Sequence, residues 1–251
     1  MKLTDGNENT LLLTITDDDS PYLDRHFIDA LADCVEQINV RENIHCVIVE
    51  GNKKYFSAGA SRDSLVCNDT LPQYVRKVPE LFLSINVPTI AAMEGHAIGG
   101  GLILGLWSDV AIMAEESLYG ANFMALGFTP GMGATTVMED IFGEFFAREM
   151  LFTGRLIKGR EFQSILNQSS LTIVPKMDVY SRALQIAREL AEIPRVSLML
   201  LKETFANRRL KKLREVLDEE EAMHTQLFAD PKTRAAINSR YQQAINDKDK
   251  N

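Results

Sequence analysis

Three consecutive glycines, Gly99, Gly100 and Gly101, stand between two apolar runs, Val87 to Met93 and Leu102 to Trp107. Glycine loses more backbone entropy on folding than any other residue, so a triplet is poorly suited to a regular element. It suits a tight strand-to-helix turn whose backbone N–H groups approach a ligand, at a helix start where partial positive charge collects. An anion forming on a ligand oxygen would be held there. On the triplet alone an ordinary glycine turn remains an equal reading. A second segment, Phe56-Ser57-Ala58-Gly59-Ala60, follows the strand-like run Cys46 to Gly51. Its Ala58 N–H, facing Gly100 across one pocket, would complete a pair of donors that stabilises an enolate oxyanion.

The elements that must position these turns follow from periodicity. Leu11 to Ile15 reads as a short strand ending in an acidic turn, Asp17 to Pro21. Phe27, Leu31, Cys34, Val35 and Ile38 recur at helical spacing and predict an amphipathic helix over 24–39. Cys46 to Val49 is a continuous apolar run, as in a strand covered on both faces. Residues 60–72 lack a period and read as a loop, and Leu71 to Ser84 is helical in pattern. Val87 to Met93 and Val110 to Met113 are further strands. The alternation implies an α/β core. After Gly133 the pattern is helical, with helices over 181–191, 197–207 and 211–228, and Pro231 opening the last.

At 251 residues the chain can bury a full core. Its net charge of −8 gives no reason to expect nucleic-acid binding. Three scattered cysteines, Cys34, Cys46 and Cys67, form neither a disulfide framework nor a metal-ligand spacing, which fits a reducing cytoplasm. No apolar run approaches the ~20 residues of a membrane span.

The pair Ser57-Ala58-Gly59-Ala60 and Gly95-His96-Ala97-Ile98-Gly99-Gly100-Gly101, followed by Asp109 to Ala114, Gly127 to Thr135 and Thr153-Gly154-Arg155, resembles the crotonase (enoyl-CoA hydratase/isomerase) superfamily over residues 10 to 245. The resemblance implies a spiral of ββα repeats over 1–193 and a C-terminal helical region over 194–251 that trimerises. It also implies a homotrimer or hexamer with no bound cofactor. The substrate would be carried on the phosphopantetheine of an acyl carrier protein, or on CoA.

Hydratases of this superfamily carry two glutamates, and the matching positions here are Ile103 and Phe123. Neither can act as acid or base, so water addition is not expected; both read as apolar substrate contacts. An oxyanion hole facing a greasy pocket suits decarboxylation, because the missing glutamates would have repelled a substrate carboxylate. The stretch from Glu94 to Thr135, with Met223-His224, is similar to the decarboxylases of polyketide β-branching cassettes, which act on a 3-methylglutaconyl thioester on a carrier protein. That likeness assigns His224 the carboxylate or the proton, although a histidine on a stripe with Leu213, Leu217, Leu227 and Phe228 also reads as a core residue. The same group uses a lysine just after the first turn. Here Arg62 could supply its charge, and Asp63 a base, which keeps a double-bond isomerase as the alternative. A non-catalytic thioester-binding homologue is the third reading.

Lys53 and Lys54 are candidates for a phosphate of CoA or phosphopantetheine, with a solvated turn as the competing reading. Lys202 is a weaker candidate for a nucleotide contact. The run Arg208, Arg209, Lys211, Lys212 and Arg214 reads as a solvated helix face or a docking patch for an acidic carrier protein. His96 reads as structural, and His26 as a surface residue.

Overall fold

The structure, a computed structural model, describes residues 1–6, 9–16, 21–66, 71–165 and 171–248. The expected acidic turn at 17–20, Cys67 and the last three residues of the tail lie outside the described residues. The first half of the chain runs β1 (Lys2–Asp5), β2 (Thr10–Thr14), α1 (Arg25–Asn39), β3 (Cys46–Glu50), β4 (Tyr55–Ser57), α2 (Arg62–Val66), α3 (Leu71–Leu83), β5 (Thr89–Met93), β6 (His96–Ile98) and α4 (Gly100–Leu106). Then follow β7 (Val110–Ala114), β8 (Leu118–Gly120), α5 (Phe123–Leu126), α6 (Ala134–Phe142), α7 (Glu144–Thr153), β9 (Ile157–Lys158), α8 (Gly159–Ile165), β10 (Thr172–Val174), α9 (Val179–Ala191), α10 (Arg195–Phe228) and α11 (Pro231–Lys248).

A six-stranded sheet has the order β1-β2-β3-β5-β7-β10, parallel except for β1, and a smaller sheet has the order β4-β6-β8-β9. The strands after β2 come in pairs: β3, β5 and β7 lie side by side in the large sheet, and each is followed by β4, β6 or β8 in the small one. Helices follow each pair, so the chain winds as repeated ββα turns, as the resemblance implied. The continuous apolar runs of β3 and β5 are buried because both faces of the large sheet are covered: Val47 and Val49 join the main core, while Ile48, Ile90 and Ile112 pack with α9 residues Val179, Ala183 and Ala187.

Local chemistry sets the boundaries. Asp24 caps α1 by accepting from Phe27 N at 2.9 Å, worth about 1 kcal/mol. The strands β4, β6 and β8, of three residues each, are too short to show a period. Residues 62–66, expected as loop, form one turn of helix. The two helices expected on either side of 207–211 are one 34-residue helix, α10. The basic run does not break it, because Arg209 turns inward, where it donates to the carbonyls of Leu106, Trp107 and Ser108 at 2.7–3.1 Å and stacks on Trp107 at 4.9 Å. Arg209 thereby satisfies the C-terminal carbonyls of α4.

Within the C-terminal region that the resemblance assigns to trimerisation, the stripe Leu213, Leu217, Leu227 and Phe228 packs against the chain's own core. Leu213 and Leu217 are buried, with Leu213 against Gly133. The apolar side chains that α10 leaves exposed are at its other end: Val196, Leu200, Leu201 and Phe205.

One buried ion pair ties α10 to the large sheet. Lys202 Nζ lies 2.7 Å from Asp109 Oδ2, which also accepts from Thr89 N and Oγ1. Burial pulls the Lys202 ammonium down and Asp109 opposes it. Lys202 is therefore structural, not a nucleotide contact. Removing one partner of such a pair strands the other charge, so Lys202→Met should cost about 3 kcal/mol in urea unfolding, and adding Asp109→Asn should recover part of the loss.

Candidate active site

Two glycine turns meet at one point. Gly59, at φ +76°, follows β4, and Gly99, at φ +57°, follows β6, conformations that favour glycine. A Cβ on Gly59 would lie 2.7 Å from the Ile98 carbonyl oxygen and 3.1 Å from Gly100 N. A Cβ on Gly101 would lie 2.3 Å from the Ser57 carbonyl oxygen. Glycine is required because each turn fills the space where the other would carry a side chain. The parallel pairing of β4 with β6 brings the turns together.

The turns open onto a cavity of about 200 Å³. Leu23, Ile28, Leu65, Val78, Ile98, Phe123, Leu126, Phe128 and Met132 give it an apolar lining, and among the described residues no Asp, Glu, Lys or Arg lines it. Gly100 is the first residue of α4, and its N–H meets no acceptor among the described residues.

Ala58, expected as the second donor, lines the cavity but has given its N–H to the Pro21 carbonyl at 2.8 Å. The strand edge that positions β4 consumes the donor. Ala60, two residues on, also lines the cavity, and its N–H has no acceptor among the described residues. Its carbonyl is held by Tyr241 Oη on α11 at 2.9 Å. The sequence carried no signal for this: in an extended segment N–H groups two residues apart point the same way, so Ala58 and Ala60 cannot be told apart without the neighbouring segment.

Several other expected contacts fall elsewhere. Phe123 is buried and lines the cavity, edge-on to Phe128 at 5.6 Å. Ile103 is fully buried in the core and does not line the cavity, because α4 is enclosed on all sides and this side chain packs inward. Arg62 and Asp63 do not line it either: Arg62 Nε reaches Asn238 Oδ1 at 2.5 Å, and Asp63 points to solvent in the first turn of α2. An exposed aspartate outside the cavity has no access to a substrate proton there, so the base expected for isomerisation is missing. Lys53 and Lys54 are exposed, with Lys54 Nζ 5.5 Å from the ring of Tyr55, a cavity residue. Lys176 Nζ joins them on the Lys53 carbonyl. The basic run is dispersed: Arg209 is internal, Lys212 pairs with Asp140, and Arg214 with Glu80.

His224 is the titratable group that α10 brings to the cavity. It is buried, and its Nε2 lies 2.9 Å from the Thr129 carbonyl oxygen. A carbonyl only accepts, so Nε2 carries a proton and Nδ1 is the other ring atom, with no partner among the described residues. Burial pulls the imidazole below its usual value, and the Thr129 carbonyl opposes this. One turn earlier, Glu220 is fully buried, accepting from Gly133 N at 2.8 Å and from Thr135 N and Oγ1 at 3.1 and 2.9 Å. Burial pushes its carboxyl up, against those three bonds. Glu220 thus pins the 129–135 loop that carries the histidine's acceptor. Sequence reading missed it, as one glutamate among several in Asp218-Glu219-Glu220-Glu221. The four-residue spacing to His224 was the available signal.

The sequence model of the enoyl-CoA hydratase/isomerase family matches residues 7–244. The bacillaene synthase decarboxylase PksI of Bacillus subtilis is 34% identical over 218 residues, 85% of this chain and 86% of that protein. A solved structure from a dehydratase/decarboxylase enzyme couple involved in polyketide β-branching superposes with a TM-score of 0.86 at 30% identity, covering 94% of this chain and 97% of the other. The decarboxylase domain ECH2 of CurF from Lyngbya majuscula gives 0.84 at 29% identity, covering 95% and 98%. Relatives described as probable enoyl-CoA hydratases also match. With its ββα winding and its paired glycine turns over an apolar cavity, the chain belongs to the enoyl-CoA hydratase/isomerase family.

Proposed function

We propose that this chain is a decarboxylase of polyketide β-branching, acting on a 3-methylglutaconyl-type thioester carried on the phosphopantetheine of an acyl carrier protein. The observation that carries this reading is an apolar cavity that, among the described residues, has two uncommitted backbone N–H groups, a buried histidine and no carboxylate. The likeness to PksI and to the CurF domain supports it.

Ala60 and Gly100 donate to the thioester oxygen. The bond between C4 and the carboxyl carbon breaks and carbon dioxide leaves. The electron pair moves through C3 and C2 onto the thioester oxygen as a dienolate, which the two donors stabilise. One proton then returns to carbon. His224, with its Nε2–H held by Thr129, takes up a solvent proton at Nδ1, delivers it from there to carbon and returns to the neutral ring. Burial favours the neutral ring, so the transfer runs toward the form that the cavity prefers. Water addition has no acid or base where Phe123 stands.

Lys53 and Lys54 lie beside Tyr55 at the cavity and are suited to a phosphate of the carrier arm. The exposed face Val196, Leu200, Leu201 and Phe205 suits the subunit contact of a trimer; a monomer in sedimentation at micromolar concentration would count against that assembly.

Mass spectrometry of a carrier-bound 3-methylglutaconyl thioester incubated with the protein should show loss of carbon dioxide. Unchanged mass would sink the reading and favour a binding protein. Gly100→Pro removes a donor at a helix position that tolerates proline, and should lower turnover by ~10² or more, as should Ala60→Pro. Gly100→Ala keeps the N–H and displaces only the flexible Met132 and Leu23 side chains, so it should retain far more activity. Equal loss in both Gly100 variants would show a packing effect instead.

His224→Gln should lower turnover by ~10² or more. The same variant reads stability. The folded imidazole titrates below its usual value, whereas the unfolded ring takes up a proton near ~6.5. As pH falls through that region the unfolded chain binds more protons, so stability drops. Urea unfolding at several pH values should show a shallower decline in His224→Gln than in the parent, and identical slopes would contradict the burial.

A further inference from the structure

Asn122 stands between β8 and α5 and lines the cavity, yet nothing above uses its side chain. Its amide makes no capping bond to α5. No hydrogen bond of the amide is found among the described residues. Its Oδ1 would lie 3.0 Å from a Cβ on Gly99, so the amide rests against the turn that presents the Gly100 N–H. The other polar side chains of the lining are three tyrosines and His224; Tyr241 is already committed to Ala60 and the His224 Nε2–H to Thr129. An unpaired amide in an apolar lining gains from any ligand that satisfies it.

Resting on the decarboxylase reading, we infer that Asn122 binds the terminal carboxylate of the substrate through Nδ2. A half-turn of the amide presents either atom to the cavity. In a 3-methylglutaconyl thioester the carboxyl carbon lies roughly 4–5 Å from the thioester carbon, comparable to the ~3.8 Å between neighbouring Cα atoms such as those of Gly99 and Gly100. With the thioester oxygen at Gly100, the carboxylate therefore falls beside Gly99 and its amide neighbour. The choice of a neutral donor has a physical consequence. A cation would attract the carboxylate most strongly before reaction and lose that attraction as carbon dioxide departs, raising the barrier. An amide fixes the direction of the breaking bond with a smaller ground-state gain. The tasks are then divided: Asn122 orients the leaving group and His224 returns the proton.

The test is equilibrium binding by calorimetry, with two pantetheine thioesters that cannot react. The 3-methylglutaryl thioester keeps the carboxylate but lacks the double bond that accepts the electron pair; the isovaleryl thioester lacks the carboxylate. The parent protein should favour the first by ~10-fold, the worth of one hydrogen bond to a charged group. Asn122→Leu should abolish that preference and leave isovaleryl binding within ~2-fold, and Asn122→Asp should reverse it by repulsion. No preference in the parent, a preference that survives in Asn122→Leu, or equal weakening of both ligands would overturn the proposal. Turnover of the 3-methylglutaconyl thioester by the parent is scored separately. A parent that binds with the expected preference but releases no carbon dioxide keeps the carboxylate contact and loses the decarboxylase reading.

Discussion

The close approach of two backbones constrains everything else at this site. Gly59 leaves no room between itself and Ile98–Gly100, and Gly101 none between itself and Ser57. A Cβ at either position would clash with the backbone of the other turn and push apart the Ala60 and Gly100 N–H groups. The parallel strands β4 and β6 hold the turns in register, and the Pro21 carbonyl, taking the Ala58 N–H, fixes the edge of β4. The bond that removes Ala58 as a donor is thus one of those that aim Ala60. Tyr241, from the far end of the chain, holds the Ala60 carbonyl in turn.

The long helix α10 connects this site to the sheet behind it. Along one helix, Lys202 pairs with Asp109, Arg209 closes the end of α4, Glu220 pins the 129–135 loop and His224 reaches the cavity. Each polar group is buried or half-buried, and each is matched by a partner on a different element, which is the condition for burying charge at tolerable cost. The helix therefore fixes the position of His224 through anchors spaced over several turns. Its exposed apolar residues lie near the start, around the Lys202 anchor and away from Glu220 and His224.

The cavity shows how one fold changes chemistry by subtraction. Phe123 stands where the hydratase resemblance expects a carboxylate, and Ile103, at the other such position, has withdrawn into the core. What remains are backbone donors, which are indifferent to side-chain identity, and a histidine whose pKa burial pulls down. In the proposed reaction those donors stabilise charge on a thioester oxygen, and the paired carboxylates that a hydratase uses to activate water are not at 103 and 123.

The sequence by itself determined the glycine turns and the elements of the large sheet beside them, while the ββα winding was legible only through the family resemblance. The glycines of 59 and 99–101, the apolar runs of β3, β5 and β7 and the helical stripe of α1 are local patterns, and local patterns survive in one dimension. It also determined that no carboxylate would stand at 103 or 123, since that needs only the residue type. The tertiary structure alone decided which alanine donates, because the direction of an N–H depends on the strand that pairs with it. It decided that Asp63 faces solvent and Arg62 faces Asn238, because these are contacts between segments some 175 residues apart. It decided, finally, that Lys202, Arg209 and Glu220 serve structure from within. A charged residue on a helix reads as solvated until the partner that compensates its burial is known, and that partner lies on another element of the fold.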